Sequence, residues 1–259
     1  MRAFVAVYKR EVALIFRSTI AYAIAFALFI FVGFMFASNI AAIANQQIAA
    51  TSGMSQPPNV SATDIGQNTL SLITFLMFLV APLLTMRLLS EEAREGTLEV
   101  LMTLPMGDWA FVVGKFFAAW TLYTAILGLS LVHLIVLLPY GPVNVPVMAA
   151  GYLGAWLYGG AALAITMVWS SVTEDQIVSA FLGAASILVF FLMDQFAIIA
   201  SGQFASLADV MRQLGFIPHF QTTMLVGILR AEDVLYFGLV VIAALFITTL
   251  IVGTRRWRA

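Results

Sequence analysis

The side chains best equipped for chemistry in this 259-residue chain stand close together. Glu91, Glu92, Arg94, Glu95 and Glu99 fall within SEEAREGTLEVLMTLP, residues 90–105, directly after an uncharged run from Thr69 to Met86. On a helix, Glu91, Glu95 and Glu99 lie at i, i+4 and i+8 and form one acidic stripe, with Arg87 four residues before Glu91 and Arg94 three after it. Like charges at that spacing oppose a helix, so the stripe has another purpose than helix stability. Gly96 costs a helix about 1 kcal/mol relative to Ala and marks a break. Thr97 then opens a second short helix with a small apolar face of Leu98, Leu101 and Met102, and Pro105 with Gly107 ends it. Such a segment suits contact with a partner outside the bilayer; the plainer alternative is a solvated loop.

Other catalytic constellations are missing. With no cysteine, thiolate nucleophiles, thiolate metal sites and disulfides are excluded. The two histidines, His133 and His219, form no H-E-x-x-H pair, and neither they nor the twelve scattered methionines suggest a metal site. Gly128-Leu129-Ser130 is followed by Leu131-Val132, so no G-x-S-x-G motif exists. A phosphate-cradling P-loop needs four residues between its glycines; six residues lie between Gly107 and Gly114-Lys115, and Phe116 follows. Asn59-Val60-Ser61 matches a glycosylation sequon that a bacterial chain would not use.

The elements that must position the acidic segment follow from composition. The chain is 62% apolar and only 10% charged, more apolar surface than a soluble fold can hide. A net charge of −1 without a basic stripe excludes nucleic acid as a partner. Six stretches reach the length needed to span a bilayer: 20–40, 69–89, 113–138, 147–169, 177–200 and 234–253. The sequence therefore predicts an all-α, polytopic membrane protein forming a single transmembrane domain over residues 1–259. Ten of the twelve Lys and Arg residues fall at the termini or in the loops on the same side, which places both termini in the cytoplasm. The first span is longer than the apolar core of a signal peptide and is followed by others, so an uncleaved anchor is expected.

Residues 1–18 are expected to form an interfacial helix, with Phe4, Val7, Val12, Ile15 and Phe16 near one face and Lys9, Arg10 and Arg17 elsewhere. The loop 201–233 carries Leu207, Val210, Met211 and Leu214 at helical spacing, and a second apolar stretch at 222–229, which together predict two short outer or re-entrant helices. Asp233 is expected to N-cap the last span. Asp194 is the one charge well inside a span. It either lines a substrate path or serves structurally by bonding to the outer helices or reaching water, and the structural reading is favoured. His133 is expected to be a satisfied packing residue.

The order E-E-x-x-E-G-T-x-E-x-L-x-x-x-P, followed by V-V-G-K-F at 112–116, resembles the coupling region of ABC-2-type ABC transporter permeases. The run from His219 to Phe237 is most similar to the gliding-motility-associated permeases and their relatives in nitrous-oxide-reductase maturation. The resemblance implies that Glu91, Glu92, Glu95, Gly96, Thr97, Glu99, Leu101 and Pro105 belong to a coupling region docked on an ATPase subunit. It implies no catalytic residue and no cofactor in this chain, with ATP and Mg held by two copies of the ATPase. A second permease subunit, identical or homologous, is implied, along with an inner-membrane location and an envelope accessory partner. Two rival classes would leave different marks in the sequence. A secondary transporter or channel would place ionisable groups or broken helices at mid-membrane. A glutamic intramembrane protease would carry E-E-x-x-x-R and paired histidine motifs, whereas here one residue, not three, separates Glu92 from Arg94.

Overall fold

The computed structural model describes residues 2–52, 60–97, 107–202 and 204–255. All regular elements among them are helical: α1 (Arg2–Arg17), α2 (Thr19–Thr51), α3 (Ala62–Thr85), α4 (Ser90–Arg94), α5 (Asp108–Leu129), α6 (Leu131–Leu137), α7 (Val145–Val172), α8 (Gln176–Ala200), α9 (Ala205–Leu214), α10 (Phe216–Phe220) and α11 (Ala231–Arg255). Six helical segments are long and apolar enough to cross a membrane: α2, α3 with its continuation through α4, α5 with α6, α7, α8 and α11. The chain is a multi-pass membrane protein.

Two spans are longer than expected. α2 runs on from Ile40 to Thr51; at 1.5 Å per residue it is roughly 50 Å long, well beyond the ~30 Å of hydrocarbon. Its Ala- and Gln-rich end contains no breaker, and Phe36, Ile40 and Ile43 pack with Ala62, Ile65 and Leu137. α3 begins at Ala62, seven positions before the apolar run, because Ser61 and Asp64 form a capping box. Asp64 N–H donates to Ser61 Oγ at 3.2 Å, and Ser61 N–H donates to Asp64 Oδ2 at 2.7 Å.

α7 lies at the centre of the bundle, where its small residues let neighbours approach closely. A Cβ on Gly159 would come within 2.0 Å of the Tyr123 ring of α5. That ring is held by its hydroxyl, which donates to the Ala155 carbonyl at 2.7 Å. The indoles of Trp120 and Trp156 stack at 4.2 Å, and the Trp156 Nε1–H donates to Thr124 Oγ1. α5 and α7 therefore move together.

One end of the bundle gathers α1, α4, the start of α5 and the end of α7; the other gathers α9, α10 and the starts of α3 and α11. α1 docks on α5 through Phe4, Val7, Tyr8 and Glu11, with Tyr8 hydrogen-bonded to Thr121 and Phe4 edge-on to Phe117. Phe4, Val7 and Ile15 of the expected face are on the docking side, with two differences. Phe16 is exposed and Glu11 is buried, because the repeat that docks is 4-7-8-11-15.

The outer helices also depart from expectation. In α9 the buried residue is Ala208, which lets the helix lie close to α8, while Leu207, Val210 and Leu214 are exposed. The second short helix is Phe216–Phe220, with Pro218 in its first turn, where a missing N–H costs nothing. The stretch 222–229 instead holds a 3-10 turn, Met224–Val226, ended by Gly227 at φ +94°. Asp233 is not an N-cap. It lies in the first turn of α11, buried, with Oδ1 2.8 Å from His219 Nδ1.

Candidate functional site

The acidic segment begins where α3 stops. Pro82 lies in the last turn of α3, its carbonyl accepting from Met86 N–H at 2.8 Å, and Met86–Leu89 form an irregular elbow before α4. Leu88, Leu89 and Ser90 are buried, so the backbone groups that open α4 lie among protein atoms. Buried N–H groups at the start of a helix require partners.

Ser170, near the end of α7, supplies them. Its Oγ accepts from Leu89 N–H at 3.1 Å and from Ser90 N–H at 3.2 Å, and donates to Met86 O at 3.3 Å. Ser90 Oγ donates to the Ser170 carbonyl at 3.0 Å. Both serines are fully buried. α4 is thus capped by a residue from another helix, which fixes the elbow to α7.

Along α4, neighbouring carboxylates have different fates. Glu91 takes a two-pronged hydrogen bond from Arg87, Nε and Nη2 each at 2.9 Å, near the surface. Glu92 turns inward. Its Oε1 lies 2.9 Å from Lys115 Nζ, and the same ammonium is 3.0 Å from Glu11 Oε1 on α1. Lys115 is 1% exposed and sits 5.1 Å from the centre of the Phe111 ring. Arg10 stands farther off, 3.7 Å from Glu92 and 3.8 Å from Glu11. Burying an ammonium is costly unless it is paired, and two carboxylates from different helices pair this one.

The three charges join α1, α4 and α5 at one point, while Ser170 joins α4 to α7. α4 is thereby fastened to α1, α5 and α7. Among the described residues no group of three or more His, Cys, Asp or Glu could hold a metal ion.

α4 ends at Arg94. Glu95 is exposed, and Gly96 adopts φ +69°, a left-handed conformation that favours glycine. The helical register that would align Glu91 and Glu95 with Glu99 does not continue through Gly96. Thr97 Oγ1 reaches back to Glu92 O at 3.3 Å. The structure brings Glu91, Glu92, Glu95, Gly96 and Thr97 together; Glu99, Leu101 and Pro105 lie outside the described residues.

Sequence reasoning missed Glu11, Lys115, Ser90 and Ser170. Two signals were present: Lys115 interrupts the apolar run FVVGKFFAAW, and Glu11 lies four residues after Val7 and four before Ile15 on the docking face of α1. Nothing local distinguishes Ser90 and Ser170 from other serines.

Asp194 lies toward the opposite end, half-buried in α8 beside the α9–α10 junction, its backbone N 3.5 Å from a Cβ placed on Gly215. Its carboxylate makes no hydrogen bond or ion pair among the described residues, which leaves contact with water as the structural option there. Asp194→Asn is expected to leave the chain folded, with stability changed by no more than about 0.5 kcal/mol. Thermal unfolding in detergent checks this, and loss of transport at unchanged stability would assign Asp194 to a substrate path. His133 lies against Phe29 and Phe36, with Nδ1 2.9 Å from the Ser130 carbonyl.

Residues 5–251 match the family described as ABC-2 family transporter protein. None of the curated proteins matches the chain.

Proposed function

The chain belongs to the ABC-2 family of transporter proteins, and from that premise we propose that it is the permease subunit of an ATP-driven exporter whose motor is a separate ATPase. Two ATPase subunits hold ATP and Mg, and two permease subunits, identical or homologous, enclose the path. Both termini and the elbow face the cytoplasm across the inner membrane. The run from His219 to Phe237 favours the gliding-motility and nitrous-oxide-reductase maturation branch, in which an envelope accessory protein completes the system.

The observation that carries this reading is the attachment of the elbow. Closure of the ATPase dimer pushes on the coupling region, residues 90–105. Glu92 passes the displacement through Lys115 to α5 and through Glu11 to α1, and Ser170 passes it to α7. ATP biases the equilibrium because the ATPase binds one arrangement of the elbow better than the other. Glu95 and Glu99 supply the charge-complementary contact, which governs encounter more than holding strength. Glu91 is engaged with Arg87 and shapes the surface beside them.

Reversing Glu95 and Glu99 to Lys is expected to reduce co-purification of the co-expressed ATPase by about fivefold at low salt, the gap to wild type narrowing as salt rises. The permease alone should keep its unfolding temperature. Unchanged co-purification with unchanged stimulated ATPase activity would overturn the docking role. The secondary-transporter reading has no comparable support, since the family matched is one of ABC-2 transporter proteins.

A further inference from the structure

The last carbonyls of α9 need donors, since the helix ends at Leu214 and no further turn follows to supply them. Two side chains from other helices do so. His219 Nε2 donates to the Gln213 carbonyl at 3.1 Å, and the Tyr236 hydroxyl donates to the Leu214 carbonyl at 2.5 Å. The His219 ring is stacked on the Tyr236 ring, with centroids 3.9 Å apart. Its other nitrogen, Nδ1, faces Asp233 Oδ1 on α11 at 2.8 Å. One imidazole thus ties α9, α10 and α11 together.

This tie requires two protons on the ring. A carbonyl only accepts, so Nε2 carries one. Nδ1 this close to a carboxylate oxygen needs another between them, and the carboxyl is the stronger acid, so that proton resides on the ring. His219 is therefore an imidazolium paired with the Asp233 carboxylate. Asp233 is 2% exposed and its Oδ2 is buried with no hydrogen-bond partner, so the ring is the charge that balances it. Removal of the ring proton would set the Nδ1 lone pair against a buried anion with no cation beside it. One of the two must then move toward water. The His219 side chain is 17% exposed, which gives the proton a way out.

No neighbouring charge takes the place of the imidazolium. Arg212 and Asp209 on α9 are exposed, and Arg230 and Glu232 pair with each other in solvent at 3.2 Å. Asp194 on α8 and Tyr158 on α7 border the same outer helices. Among the described residues, none of these six bonds through its side chain to His219 or Asp233.

We infer that His219 and Asp233 form a proton-operated latch, which holds the α9–α10 cap on α11 and releases it as the pH rises. The latch lies at the end of the bundle opposite the elbow and does not depend on the permease reading or on an ATPase. An unfolded histidine gives up its proton at about pH 6.5. The latch's contribution to stability is therefore complete below that pH, and it is lost at higher pH as the folded pair in turn releases the proton.

The test measures the unfolding temperature of the purified full chain in detergent at about pH 6 and about pH 9, beside that of Asp233→Asn. Asparagine accepts from an imidazolium through Oδ1 or, turned over, donates through Nδ2 to a neutral Nδ1, so it keeps the latch closed at both pH values. The wild-type temperature is expected to fall by about 3 °C more than that of the variant. His133 and His219 are the only histidines, so in isotopically labelled His133→Gln the imidazole nitrogen resonances belong to His219 alone. Both nitrogens should be protonated at the lower pH and one at the higher. If Asp233→Asn does not fold, His219→Gln, whose amide binds no proton, replaces it as the reference. Equal falls in wild type and reference would overturn the proposal, as would a neutral His219 ring at the lower pH.

Discussion

Lys115→Met is expected to destabilise the folded chain by about 3–5 kcal/mol, because it leaves the carboxylates of Glu11 and Glu92 facing each other in a buried site with no cation between them. Arg10 cannot replace the ammonium, since it stands 3.7 Å and 3.8 Å away with its side chain half in solvent. The measurement is thermal or denaturant unfolding in detergent. The triple variant Glu11→Leu, Glu92→Met, Lys115→Met should recover most of the loss, since a buried ion cluster replaced whole by apolar residues is often neutral or stabilising. Recovery of stability without recovery of transport-coupled ATPase activity would identify the three charges as a coupling device and not only a fastening. A Lys115→Met variant as stable as wild type would show that the cluster is solvated, and the linkage of α1, α4 and α5 drawn from it would fall.

Ser170→Ala is the second large effect. The hydroxyl serves two buried backbone donors, Leu89 N–H and Ser90 N–H, and gives its own proton to Met86 O. Alanine fits the space but leaves these groups unpaired; an orphaned buried group costs roughly 1–3 kcal/mol, and the elbow must loosen or admit water to recover part of it. Hydrogen exchange over residues 86–97 is the sensitive readout. The amides of Leu89 and Ser90 should lose about tenfold or more of their protection while those in the middle of α7 keep theirs. Coupled ATPase activity should fall with it, because an elbow detached from α7 can move without taking the bundle along. Retained protection at both amides would mean that the serine is incidental to the elbow.

The two substitutions act on different links of one chain of contacts. The serine fixes the backbone of α4 to α7 by neutral hydrogen bonds, whose directionality sets the elbow's orientation. The lysine draws in α1 and α5 by charge, which tolerates small changes in angle but not loss of a partner. α5 and α7 are then joined to each other where the Tyr123 ring fills the space left by Gly159. Motion entering at α4 thus meets three helices already packed as a unit.

The sequence by itself determined the solvent and the span number. Six long apolar runs in a chain with few charges have no stable arrangement except as helices across a bilayer, since each backbone polar group must there be satisfied within its own helix. It also determined the break at Gly96, whose left-handed backbone is a local property of glycine. It did not determine which glutamate faces which way. The stripe carried one helical register across Gly96, where it is lost, whereas the expected Arg87–Glu91 pair is formed. The docking face of α1 was read from Phe4, Val7 and Ile15, but not its buried Glu11, which needs a lysine on another helix beside it. Asp233 looked like a cap because its partner, His219, lies in another element. Only the tertiary structure decided these points. A buried charge or serine is defined by a partner 14 to 104 residues away in another element, and no local pattern specifies that pairing.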